Sequence, residues 1–121
     1  MLGIRSTIDL VSHFAKGALF ENFIINELLK NKINTGERPQ FFFWQDSNAN
    51  EIDLLIDKVI SQSIIEIKAG KTVQPDFFKN LKLFKSLSPT TSGSWLVYGG
   101  DQAQPRSDAM VITWKDLGSL T

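Results

Sequence analysis

Two neighbouring segments constrain this chain most, because both alternate apolar and polar residues at the period of a β-strand. In Glu51–Asp57, Ile52, Leu54 and Ile56 share one face, and Glu51, Asp53, Leu55 and Asp57 the other. In residues 63–68, Ile64, Glu66 and Lys68 share a face opposite Ile65 and Ile67. The short link around residues 58–62 predicts a hairpin. That hairpin brings Asp53 beside Glu66, and Lys68 projects from the same face as Glu66.

The preceding residues 17–32 carry a helical pattern. At 100° per residue, Ala18, Phe20, Ile24, Ile25, Leu28 and Leu29 form one broad arc, with Asn22, Asn26 and Lys30 opposite. Glu21 breaks the pattern, falling between Leu28 and Ile25. A carboxylate on an apolar arc is costly unless it is protonated, paired or metal-bound. Thr35-Gly36 ends this helix, with Pro39 beyond. Residues 1–16 are expected to be a lead-in with a short helix near residues 8–14, and its lone His13 is given no role.

After the first helix, residues 40–44 read as a strand, and Asp46-Ser47-Asn48-Ala49-Asn50 is turn chemistry. Pro75-Asp76 opens a second helix with Phe77, Leu81 and Phe84 in one stripe and Lys79, Lys82 and Lys85 outside. Residues 94–98 and 109–113 read as strands, with a loop from 101 to 107 and a turn of helix near 115–120. The expected class is α/β: helix, three strands, helix, two strands, forming a mixed central sheet flanked by helices.

At 121 residues, one hydrophobic core is expected, with nine Phe and three Trp to fill it. The absence of cysteine excludes a disulfide framework, a zinc–thiolate site and a thiol nucleophile. Thirteen basic and thirteen acidic residues cancel, so global charge makes no case for nucleic-acid binding. No apolar run reaches the roughly 18 residues of a membrane span, and there is no signal-peptide pattern. A cytoplasmic protein without membrane contact is expected. Residues 69–72, Ala-Gly-Lys-Thr, are similar to the end of a phosphate-binding loop, but Ile65 stands where its first glycine belongs.

Glu21, Asp53 and Glu66 converging with Lys68 would repel one another unless a cation lay between them. All-oxygen ligation suits Mg²⁺ or Mn²⁺. Asp53, then Glu66-Ile67-Lys68, resembles the PD-(D/E)XK nuclease superfamily, the restriction-endonuclease-like fold, with Ile52 in place of the proline. Gly17-Ala18-Leu19-Phe20-Glu21 resembles the first-helix start of its junction-resolvase branch. With Asn50-Glu51-Ile52-Asp53 and Ile64-Ile65-Glu66-Ile67-Lys68-Ala69-Gly70-Lys71, it resembles the C-terminal domain of many bacterial and archaeal AAA-type ATPases.

The resemblance covers about residues 17–121 and implies a domain from a longer ATPase-linked protein. It implies Asp53, Glu66 and Lys68 as catalytic residues, and Glu21, Asp53 and Glu66 as metal ligands. It further implies DNA as substrate and an ATPase domain in the same chain as partner. The bland alternatives are a solvated strand edge with an ordinary ion pair for Glu66 and Lys68, and a lysine partner at the core rim for Glu21. Glu51 shares the face of Asp53 but is left out of the metal set. A second functional expectation is a non-catalytic docking module of the ATPase that keeps a vestigial site.

Overall fold

A computed structural model describes the backbone of residues 7–36, 38, 40–58, 60–106 and 109–120, with side chains for all of these except 7–15, 105 and 119. Expectations on residues 1–6, on Pro39 and on the His13 side chain lie outside the described residues.

Helix α1 runs unbroken over Thr7–Asn34. The short helix expected near residues 8–14 and the helix expected from residue 17 are therefore one. The helix passes through Gly17, which costs about 1 kcal/mol relative to alanine but meets no neighbour within 4 Å. Ile24 and Leu28 are buried and Phe20 and Ile25 pack beside them, whereas Ala18, placed on the apolar arc by period alone, is exposed. At the C-terminus, the Thr35 N–H donates to Asn31 C=O and the Gly36 N–H to Ile33 C=O. Gly36 has φ of 78°, the left-handed conformation that glycine adopts without a Cβ clash.

Among the described residues, six strands follow as β1 (Phe41–Gln45), β2 (Glu51–Asp57), β3 (Gln62–Lys68), β4 (Thr91–Tyr98), β5 (Gln104–Pro105) and β6 (Met110–Thr113). They form one mixed sheet in the order β1-β2-β3-β4-β6-β5. The β1–β2, β2–β3 and β5–β6 pairs are antiparallel, and β3–β4 and β4–β6 are parallel. The β2–β3 hairpin is as expected. The extra strand is β5, read as loop from sequence because two residues carry no period; Pro105 sits on this outer strand, where a missing N–H is tolerated.

The β3-to-β4 crossover contains a 3-10 turn, Pro75–Phe78, and helix α2, Lys79–Leu87. Phe78, Leu81 and Phe84 face the core, while Phe77 lies half-buried at the margin. The 3-10 turn is wound more tightly than an α-helix, which shifts the core-facing position from Phe77 to Phe78. Lys79, Lys82 and Lys85 are exposed, as the period predicts.

Two hydrophobic layers sandwich the sheet. Under α1, Ile24 and Leu28 pack on Leu54, Ile56, Ile65, Ile67, Val97 and Ile112. Under α2, Leu81 and Phe84 pack on Ile52, Ile64, Leu96, Tyr98 and Val111. At roughly 25 cal/mol per Å² of apolar surface, these layers supply most of the stabilisation. Among the described residues, no helix is long and apolar enough to cross a membrane.

Ile52 departs from the expected face. Leu54 and Ile56 lie under α1, but Ile52 lies under α2. The cause is a β-bulge: Phe42 pairs with Leu55 and Trp44 with Ile52, so β2 spends three steps where β1 spends two. Asp53 sits at this irregularity.

Candidate metal centre

The β2–β3 ladder pairs Asp57 with Gln62 through to Leu54 with Ile65, and main-chain pairing stops there. One residue further, carboxylates take over. The Asp53 N–H donates to Glu66 Oε1 at 3.1 Å, and the Ile67 N–H donates to Asp53 Oδ2 at 2.8 Å. Each acid thereby satisfies an amide that the parting strands leave behind, and each amide fixes one carboxylate. A carboxylate offers about four acceptor positions, so both keep capacity for a cation.

Glu66 is 2% exposed, the only acid among the buried residues described. Burial, then the neighbouring Asp53 charge, pushes its carboxyl up to about 8; Lys68 pulls the other way. Burial also raises Asp53, against the lowering effects of the Ile67 N–H and Lys68. Without a cation, the pair retains proton at neutral pH. Lys68 Nζ lies 3.9 Å from Glu66 Oε2 and 5.5 Å from the centre of the Phe77 ring. Its side chain is 37% exposed, so it spans the buried acids and the outside.

Glu21 holds a different place from its two partners. Helix α1 covers the sheet face that carries Ile65 and Ile67, while Glu66 and Lys68 alternate onto the face of Ile64. Glu21 is half-buried, and its carboxyl is raised first by burial, then by the charges of Asp53 and Glu51, with Lys68 opposing. It thus lies within electrostatic reach of Asp53. No group of three acidic, histidine or cysteine side chains close enough to hold a metal occurs among the described residues. The structure brings Asp53, Glu66 and Lys68 together and leaves Glu21 as a neighbour across the sheet.

Glu51, set aside in the sequence reading, raises the carboxyls of Glu21, Asp53 and Glu66 through its charge. Its position on the face of Asp53 was the signal available. The backbone amides of Asp53 and Ile67 and the Phe77 ring also belong to the site, and no local pattern marks them.

Two buried, hydrogen-bonded carboxylates fit a hard divalent cation. Mg²⁺ is ordinarily held by one or two protein carboxylates, with waters and substrate phosphate filling the remaining positions. Asp53 and Glu66 are the residues that would hold it.

Residues 16–117 match the family described as a domain of unknown function, DUF4143. No curated protein and no solved structure matches the chain. Because the match takes in most of its length, the chain belongs to the DUF4143 family.

Proposed function

We propose that this domain is a Mg²⁺- or Mn²⁺-dependent nuclease-like module of the PD-(D/E)XK type, hydrolysing DNA phosphodiesters with Asp53, Glu66 and Lys68. The observation that carries this reading is the reciprocal bonding of Asp53 and Glu66 where β2 and β3 part, with Lys68 at 3.9 Å from Glu66. A sheet edge that only needed solvation would not bury a glutamate to 2% exposure. The mixed sheet between α1 and α2 is compatible with a restriction-endonuclease-like fold.

Asp53 and Glu66 would hold the cation, each oriented by its backbone amide. A divalent ion so held lowers the pKa of a bound water and offsets phosphate charge. Lys68, half outside the acid pair, orients the attacking water and stabilises charge developing on the phosphate. Glu21 and Glu51 add negative potential that favours a cation over an anion at the pair. The resemblance to ATPase C-terminal domains supports placing this module in a longer chain with an AAA-type ATPase, in the cytoplasm.

A second reading, a docking module with a vestigial site, draws on the absence of a closed three-acid group among the described residues. Incubation with supercoiled plasmid and branched DNA in Mg²⁺ or Mn²⁺ separates the two. Cleavage lost in Asp53→Ala and Lys68→Ala supports the nuclease. Cleavage that survives both variants, or none in the wild type despite Mn²⁺ binding, removes it.

A further inference from the structure

An aromatic groove lies between α1 and the residues that follow β3, β4 and β6. It has a volume of about 380 Å³ and is lined by Phe20, Phe23, Ala69, Gly99 and Trp114. One of its walls is joined in sequence to the proposed centre, Ala69 following Lys68 at the end of β3, and Phe20 adjoins Glu21 on α1. Trp114 follows β6, held there by its N–H donating to Tyr98 C=O at 3.1 Å.

The groove floor depends on Gly99. Its N–H donates to Gly70 C=O at 2.9 Å, and a Cβ there would fall 2.1 Å from the Ala69 carbonyl oxygen. The end of β4 and the loop after Lys68 therefore run in contact, which fixes Ala69 and Gly99 against each other in the groove. Phe23 and Trp114 meet edge to face at 6.3 Å between centroids, yet remain 44% and 37% exposed. Core aromatics would be covered. Lys115 Nζ stands 5.4 Å from the centre of the Trp114 ring, and Ala69 in the groove wall is the residue after Lys68. Exposed ring edges and faces with the Lys115 cation beside them suit a flat, aromatic ligand tied to negative charge.

From this arrangement we infer that the groove is a base-stacking subsite for an unpaired nucleotide, so that the domain engages single-stranded or frayed nucleic acid rather than closed duplex. The inference rests on the acid pair being a phosphodiester-cleaving centre and names its substrate class. In duplex DNA both base faces are already stacked on neighbours; only an unpaired base offers its face to Trp114 and Phe23, with the Lys115 cation beside the Trp114 ring.

The test uses the full chain with a fluorescein-labelled oligothymidylate and a blunt duplex of equal length, in EDTA, read by anisotropy. Expected is tighter binding of the oligothymidylate, weakened roughly tenfold by Trp114→Ala and restored by Trp114→Phe, with the duplex unaffected. Mn²⁺ binding by calorimetry should be equal in wild type and Trp114→Ala. Equal oligothymidylate affinity in both proteins, or preference for the duplex, overturns the subsite. So does a dimer in sedimentation that Trp114→Ala converts to monomer without any oligothymidylate binding, which would assign the groove to a second copy of the chain. Failures are separable: oligothymidylate binding through Trp114 without Mn²⁺ binding keeps the groove and removes the metal reading, and the reverse result removes the groove alone.

Discussion

Asp53 and Glu66 exchange places with the main chain at the end of the β2–β3 ladder: the Asp53 amide is held by the Glu66 carboxylate, and the Asp53 carboxylate holds the next amide of β3, that of Ile67. The bulge at Asp53 makes this possible by turning β2 away from regular pairing. The two acids are therefore fixed by the backbone, which is the preorganisation that the proposed metal site would need.

The pair makes stability depend on pH. Glu66 sits at about 8 in the folded chain against an ordinary 4.5, and Asp53 is also raised. The folded protein thus keeps protons that the unfolded chain has released, and the Glu66 contribution is complete below pH 4.5 and lost as pH rises through about 8. The slope is at most about 1.4 kcal/mol per pH unit for each group. In EDTA, the melting temperature should fall between pH 5 and pH 8, and Glu66→Gln should flatten that fall. An unchanged slope in Glu66→Gln would show that Glu66 is not the titrating group.

On the proposed nuclease reading, Lys68 would act on the reacting phosphate and not on the fold. Lys68→Ala should leave the melting temperature within a few degrees and Mn²⁺ affinity within a few-fold, while cleavage falls by about a hundredfold or more. An equal loss of metal affinity and cleavage would make Lys68 part of the cation site instead.

Gly99 sets the approach of β4 to the loop after Lys68. Gly99→Ala places a methyl 2.1 Å from a backbone oxygen, so the chain must shift. The expected cost is about 1–3 kcal/mol in denaturant unfolding, with oligothymidylate binding weakened as the groove floor moves. Full retention of stability would mean that the loop yields freely.

In the turn before β2, Ala49 is the one described non-glycine residue at positive φ, at 63°. Asp46 Oδ1 accepts from the Asn48 and Asn50 amides and fixes this turn. A Cβ in the left-handed region costs on the order of 1 kcal/mol. Ala49→Gly should therefore raise stability by about 0.5–1 kcal/mol with no effect on metal binding, as chemical denaturation would show.

The sequence was informative wherever one period ran undisturbed. Ile65 and Ile67 against Glu66 and Lys68 could be sorted by alternation alone, and the Asp46–Asn50 turn by its side chains. Ile52 was misplaced because a bulge has no signature in alternation: its flanking residues look alike with or without the extra step. The helix starts earlier than the apolar arc of residues 17–32 indicates, because α1 continues back through Gly17 to Thr7 with its packing anchored at Ile24 and Leu28. Glu21 stood out on the apolar arc, yet helical period fixes only its own face, not the side of the sheet on which that face lands. Trp114 carried no signal, since a single aromatic after a strand looks the same at a rim as in a core.

The most direct test of the account is calorimetric titration of Mn²⁺ into the wild-type chain at pH 8, beside Asp53→Asn and Glu66→Gln. One binding site in the wild type, lost in both variants and weakening as pH is lowered because the ion competes with the Glu66 proton, is the predicted result. Absence of binding in the wild type, or affinity undiminished in Glu66→Gln, would contradict it.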